Sequence, residues 1–499
     1  MSRSAQPSSR PTLAALCRTP GVDGEPPVDT PIAGICADSR RLRPGEVFVA
    51  VRGYATDGHR YIPQAVEAGA AAVVLEDRTY LASVPPQVVA VPVPNSRRAA
   101  AALAAAYHDH PSRNLTLVGV TGTNGKTTIS LMLDSIFAAG GAHTGVIGTL
   151  GRGVLGTWRA TERTTPDAIE LQSLLAEMRD VGATHVAMEV SSHALELERV
   201  YSCSFAGAIF TNLTQDHLDF HSGLDEYLAA KQLLFTSYAQ SPTRKGPMVG
   251  AINMDDPAGR QVARAAQCTV VGYGTNGGSQ VRARSIDIGP GGVTFTIDFE
   301  GHARRVKLQL TGLFNVHNAL GAAACCYGLG LDIDQIVAGL RALQAVPGRF
   351  ERVDEGQPFT VVVDYAHTPG ALQNVLTAAR ALSPSRIVCV MGCGGDRDRS
   401  KRPMMGKIAA EMSDLTIVTS DNPRTEDPLK IIDDVVGGIT QGEYLVEPDR
   451  GAAIIRAVAM CEKGDILVIA GKGHETYQEF ADHRIDFDDR EVARRALRA

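Results

Sequence analysis

Thr121-Gly122-Thr123-Asn124-Gly125-Lys126-Thr127-Thr128 is the stretch that decides how this chain is read. An apolar segment, 115–120, precedes it and an amphipathic one, 129–139, follows, so the spacing predicts strand, glycine loop and helix in that order. Gly122 and Gly125 let the backbone aim N–H groups at an anion. Lys126 adds a point charge, and the hydroxyl of Thr127 or Thr128 is placed to hold Mg²⁺. The common phosphate-loop spacing would put its first glycine at position 120, where this chain has Val120. Even so, strand, loop and helix together predict a nucleoside triphosphate bound along Gly122, Thr123, Asn124, Gly125, Lys126, Thr127 and Thr128.

A chain of 499 residues exceeds one ordinary core, and its 44% apolar and 21% charged content is that of a soluble globular protein. A net charge of −6 gives no reason to expect nucleic acid or a membrane surface as partner. Nine cysteines are scattered without a repeated CxxC, which argues against a zinc framework and for reduced thiols in a cytoplasm. The start of the chain is polar and proline-rich, so 1–25 is expected to be a disordered extension rather than a signal peptide. No apolar run reaches membrane-spanning length.

Working outward from the loop, the apolar runs 185–190 and 207–210 alternate with helical segments such as 167–181. That rhythm predicts a largely parallel sheet, and the alternation over 280–310 predicts subsidiary antiparallel strands. Before the loop, short strands at 47–51, 71–75 and 88–93 mix with alanine-rich helices, up to His110-Pro111-Ser112. After it, Val346-Pro347-Gly348 breaks the pattern. Buried-strand runs then recur at 360–363, 386–391, 415–419 and 466–469, each followed by a polar loop with glycine, where ligands of such sheets bind. The expected fold is α/β with three domains, at 26–112, 113–346 and 347–499.

Glu189, just after a predicted strand in Glu189-Val190-Ser191-Ser192-His193, is a natural Mg²⁺ ligand. Asn212-Leu213-Thr214-Gln215-Asp216-His217-Leu218-Asp219-Phe220-His221 is a dense polar cluster whose lack of cysteine favours Mg²⁺ and substrate contacts over zinc. Lys231, on a predicted helix, reads by itself as an exposed lysine.

Taken together, TGTNGKTT, MEVSSH, TNLTQDHLDFH and the helix with Ala229-Ala230-Lys231 resemble the Mur ligase family. So do Asp364-Tyr365-Ala366-His367-Thr368-Pro369, Asp421-Asn422-Pro423-Arg424 and Gly471-Lys472-Gly473-His474-Glu475 in the third block. The resemblance runs from about Ala37 to near the C-terminus. It implies an N-terminal nucleotide-sugar domain, a central P-loop ATPase-like domain and a C-terminal Rossmann-like domain. It also implies ATP-dependent amide formation through an acyl phosphate, in cytoplasmic peptidoglycan precursor synthesis by a monomer.

By that resemblance Lys126, Glu189, His217 and Lys231 are catalytic. Thr127 and Glu189 would hold one Mg²⁺, with His217 and a CO₂-derived carbamate on Lys231 serving a second. An ammonium would repel the metal, whereas a carbamate offers an anionic oxygen. Asn318 would contact adenine, and Arg349 and Asp364 would reach the nucleotide from the third domain. The UDP-MurNAc-L-Ala-D-Glu positions carry over to Ala37, Ser39, Tyr54, Ala55, Thr56, Thr164, Thr165, Ser191 and Arg199. The chain departs from the family pattern at Leu197, where some members have glutamine, and at Arg163, where asparagine is expected.

The third block resembles the branch that adds meso-diaminopimelate. A site selecting that amine over lysine should set a guanidinium against its distal carboxylate, the role Arg424 takes by resemblance. Arg397, Asp421, Asn422, Pro423, Gly471 and Glu475 match the remaining positions, with Glu475 suited to the distal ammonium.

Overall fold

Short Val-, Ile- and Leu-rich runs, buried on both faces, form the strands of three principal sheets. The computed structural model describes residues 11–53, 56–161, 163–216, 220–240, 247–289 and 291–499. The expected site residues Tyr54, Ala55 and His217 lie outside the described residues.

In the first sheet Gly34–Cys36, Glu46–Ala50, Ala72–Leu75 and Val89–Pro92 run parallel in chain order. The positions 37–39 and 51–56 therefore follow the carboxyl ends of its first two strands. The segment 1–25, expected to be disordered, has fixed structure from residue 11. Leu13–Cys17 is a short helix, the Leu13 N–H donates to Thr30 O at 2.8 Å, and Leu13, Leu16 and Val22 are buried in this unit's core. Three apolar anchors outweigh the polar composition around them.

The second sheet holds the phosphate loop. Its parallel heart has the order Val249–Asn253, Phe205–Phe210, Thr116–Thr121, His185–Glu189, Thr144–Gly148. Helices Lys126–Ala139, Leu313–Gly328 and Ile333–Ala342 cover one face through Ile129, Met132, Val316, Leu320 and Ile336. Helix Ala168–Asp180 covers the other through Leu171 and Leu175. The strands expected over 280–310 form an antiparallel meander, Val281–Gly289, Gly292–Phe299 and His302–Leu308. It continues this sheet beyond Thr269–Gly274.

The third sheet has the order Glu351–Val353, Thr360–Asp364, Ile466–Ala470, Ile387–Met391, Leu415–Val418, Tyr444–Val446, parallel except at its first pair. Helices Pro369–Ala381 and Lys401–Met412 pack on one face, Arg450–Met460 and Asp489–Arg498 on the other. Because Ile466–Ala470 returns to the middle, loops 365–368, 392–398, 419–424 and 471–475 share one edge, at the carboxyl ends of the strands. The expected α/β architecture is the one observed. The nine cysteines are all free thiols, and none of the described helices is long and apolar enough to cross a membrane.

Candidate functional site

The helix Lys126–Ala139 begins at Gly125 without a side-chain cap, whereas those starting on Asp167, Asp256 and Asp332 have one. Its first N–H groups therefore face the loop uncovered, as an anion site requires. Gly122, at φ +145°, cannot be replaced without strain, because a Cβ there would lie 1.8 Å from Thr211 Oγ1. At Gly125, φ +90°, an added Cβ would lie 2.3 Å from Asn318 Oδ1. The loop is fixed from the strand-end segment after Phe205–Phe210. Thr123 N–H donates to Asn212 O at 2.9 Å, Asn124 N–H to Asn212 Oδ1 at 3.0 Å, and Thr211 Oγ1 to Asn124 O at 2.6 Å.

Lys126 Nζ donates to Gly122 O and Thr123 O, both at 2.9 Å. Lys231, expected on sequence alone to be exposed, is buried at 1% exposure and its Nζ also donates to Gly122 O, at 2.9 Å. Burial, reinforced by the Lys126 cation, pushes the Lys231 amine well below its ordinary value. Glu189 is buried and both its oxygens accept from Thr149, at 2.9 Å from the N–H and 3.0 Å from the hydroxyl. Thr149 was not foreseen; nothing in the sequence near it marks it except its place after a strand. Among the described residues no three His, Cys, Asp or Glu side chains cluster as a metal site.

The third unit meets this loop. Arg349 Nη2 donates to Thr127 Oγ1 at 3.1 Å, and its guanidinium lies 4.7 Å from the Tyr365 ring centre. Asp364 accepts from Phe350 N–H at 2.6 Å, and burial raises its carboxyl to about 6. The connection itself is tightly seated. Gly348, at φ +64°, would place a Cβ 2.1 Å from His474 N, and its carbonyl accepts from Tyr365 N–H at 2.9 Å.

Beside Glu189, Thr165 Oγ1 donates to Glu189 O at 2.8 Å, Ser191 N–H donates to Thr165 Oγ1 at 3.1 Å, and Arg199 Nη1 to Thr165 O at 3.2 Å. Thr164 Oγ1 is 3.1 Å from Thr149 Oγ1, so four of the expected nucleotide-sugar positions form one cluster. Ser39 and Thr56 lie on loops of the first sheet, and no described hydrogen bond joins them to it; Thr56 Oγ1 is 3.3 Å from Tyr61 OH. Leu197 closes the short helix Ser192–Glu196, while Arg163 is exposed and 3.8 Å from Asp167.

The third edge gathers the remaining positions. Asn422 Nδ2 donates to Glu475 Oε2 at 2.8 Å, and Arg424 donates from Nε to Glu479 Oε2 at 3.1 Å and from Nη1 to Gly395 O at 2.8 Å. Arg424 holds a left-handed φ of 51°, a conformation rare outside glycine and asparagine. Burial alone would raise the Asp421 carboxyl, but the Lys472 and Arg450 cations hold it below its ordinary value. A Cβ on Gly471, at φ +120°, would lie 2.6 Å from Asp421 Oδ2, while Arg397 is exposed and donates from Nη1 to Asp396 O at 3.0 Å.

Models of the Mur ligase family catalytic domain, the Mur ligase middle domain and the Mur ligase glutamate ligase domain match residues 31–108, 120–326 and 348–473. A relative from Solibacter usitatus, UDP-N-acetylmuramoyl-L-alanyl-D-glutamate–2,6-diaminopimelate ligase, is 45% identical over 94% of both chains. The chain belongs to the Mur ligase family. This Mur ligase also resembles a solved structure of a protein of that same name, at 34% identity, TM-score 0.68 and coverage of 94% of this chain and 95% of the other. A folylpolyglutamate synthase of Mycobacterium tuberculosis complexed with ADP and AMPPCP covers 74% of this chain and 91% of its own, at TM-score 0.61 and 19% identity. That likeness shows the fold alone. As a Mur ligase, the chain is an ATP-dependent enzyme that forms amide bonds.

Proposed function

We propose that this Mur ligase joins meso-2,6-diaminopimelate to the γ-carboxylate of D-Glu in UDP-MurNAc-L-Ala-D-Glu, consuming ATP, as a monomer in the cytoplasm. The observation that carries the reading is the joining of Arg424 and Glu475 in one bonded network, on the edge that Arg349 connects to the phosphate loop. A distal centre bearing both a carboxylate and an ammonium needs one fixed cation and one fixed anion. Lysine lacks that distal carboxylate and would leave Nη2 of Arg424, the edge not taken by Glu479 and Gly395, without an acceptor, which gives rejection as well as attraction. Arg397, Asp421, Asn422, Pro423 and Gly471 complete the amine side. Ala37, Ser39, Tyr54, Ala55 and Thr56 of unit 26–112 would face Thr164, Thr165, Ser191 and Arg199 of unit 113–346 across the nucleotide-sugar, with the amine bound by unit 347–499.

The uncapped N–H groups from Gly125 into the helix start take the phosphates, while those of Thr123 and Asn124 hold the loop to Asn212; Asn318 flanks the site, and Lys126 neutralises charge as the γ-phosphoryl passes to the substrate carboxylate. The amine then attacks the acyl carbon; the C–N bond forms and phosphate leaves with the C–O electron pair. Arg349 and Asp364 bring the third unit to the nucleotide. Bound Mg²⁺ supplies charge neutralisation across the phosphate oxygens. Thr127 and Glu189 would hold one ion and His217 and Lys231 a second, and the oxygens of buried Glu189 and Thr127 suit that hard cation. Lys231 fits once carbamylated. Its buried amine is driven toward the neutral form that adds CO₂, forming an N–C bond and releasing a proton.

Phosphate release with ATP, Mg²⁺, the UDP-dipeptide and each amine tests the reading. Diaminopimelate should drive turnover far better than lysine, and Arg424→Ala should raise the KM for diaminopimelate about tenfold or more while leaving that for ATP unchanged. Equal or faster use of lysine would overturn it.

A further inference from the structure

Lys472 is fully buried beside the amine-binding positions Asn422 and Glu475. An unpaired cation there would be strongly unfavourable, and its Nζ meets Asn422 Oδ1 at 2.9 Å and Glu475 Oε2 at 3.0 Å. Asn422 Oδ1 also accepts from Glu479 N–H, at 3.0 Å. With two donors on its oxygen, the Asn422 amide has one orientation, and its Nδ2 must face Glu475. Glu475 thus has Oε2 held twice, while Oε1 takes no hydrogen bond among the described residues.

Arg424 shows the complementary pattern. Glu479 Oε2 takes its Nε and Gly395 O its Nη1, so Nη2 is left without a bond among the described residues. Glu479 is fixed in turn by Arg484, whose Nε and Nη2 reach Oε1 at 3.1 and 2.6 Å across the hairpin Tyr477–Glu479/Arg484–Asp486. The backbone joins in, since Arg424 N–H donates to Glu479 O at 3.1 Å.

We propose that Lys472 and Glu479 are positioning residues that, through Asn422, lock the spacing between the free oxygen of Glu475 and the free edge of Arg424. Lys472 thereby sets affinity for the ammonium pole of the amine substrate, and Glu479 sets selection for its carboxylate pole. This rests on the reading of Arg424 and Glu475 as the diaminopimelate contacts.

Steady-state kinetics on Glu479→Gln, Lys472→Met and Arg424→Ala, with diaminopimelate and lysine varied separately, test it. Glu479→Gln should lower kcat/KM for diaminopimelate about tenfold and leave lysine unchanged, narrowing the preference. Lys472→Met should raise KM for both amines in parallel, with kcat at saturating amine and KM for ATP retained. A wild-type preference in Glu479→Gln overturns the proposal, as does a loss in Lys472→Met that falls equally on ATP and amine, which marks a general structural role. If Lys472→Met does not fold, Glu479→Gln, which keeps the shape of a partly exposed side chain, decides alone. If Arg424→Ala leaves diaminopimelate KM untouched, the assignment of the site is at fault instead.

Discussion

Lys126 and Lys231 donate to the same atom, the carbonyl oxygen of Gly122, each at 2.9 Å. Two ammonium groups at one acceptor repel, and the more buried amine loses its proton more readily. Lys231→Ala should therefore abolish turnover, and added formate or acetate should partly restore it by supplying the missing carboxylate. Full activity of the untreated variant would remove the carbamate. The burial of Lys231 was not legible from its own helix. Asp225, Glu226 and Ala229 are exposed on one side of Leu224–Gln232, while Tyr227, Leu228, Ala230 and Lys231 are buried on the other, so Lys231 lies on the inward face, where its charge argued against placing it. Lys472 and Glu479 were hidden for another reason: their partners Asn422 and Arg424 lie 50 and 55 residues away in the chain.

Between elements, the phosphate loop and the loops of the third edge are both shaped by close approach. Gly122→Ala would drive a methyl into Thr211 Oγ1 and should lower stability by about 2 kcal/mol while weakening ATP binding; calorimetry reads both. In the third unit, buried Arg402 ties helix Lys401–Met412 to loop 421–427 through Glu426, at 2.8 and 3.1 Å. That guanidinium holds the Glu426 carboxyl at about 2 against an ordinary 4.5. A depressed carboxylate contributes stability that is complete above its unfolded value and fades as pH falls toward its folded one. The stability gap between wild type and Glu426→Gln, measured by denaturant unfolding, should thus shrink as pH drops below about 4.5. A gap that stays constant would place the coupling elsewhere. Parallel strands were legible because both faces are apolar, whereas edge strands such as the wholly exposed Thr157–Arg159 carry no such pattern.

At the scale of the molecule, the units are joined by packed apolar side chains, such as Ile169 and Tyr201 on the first core and Phe314 on the third, and by specific hydrogen bonds. Glu198 accepts from Asn95 Nδ2 at 2.9 Å and Arg98 Nε at 2.6 Å, beside the expected substrate residue Arg199. Glu198→Ala should raise KM for the UDP-dipeptide several-fold with little effect on that for ATP; an equal effect on both would show that the contact is only scaffolding. The sequence marked the second junction by its turn chemistry at Val346-Pro347-Gly348. It could not show what the junction leans on, since His474 lies far along the chain. Gly348 has no room between its Cα and the His474 amide, and its carbonyl is bonded to Tyr365. The glycine is therefore not a free pivot: it travels with the amine-binding turn as one rigid lever. Val346 is buried in the core of the central unit, so a rotation of the third unit would be absorbed between Val346 and Gly348. A swing there moves the Glu475 pole and Arg349 through the same arc, so nucleotide clasping and amine delivery are geared to one axle.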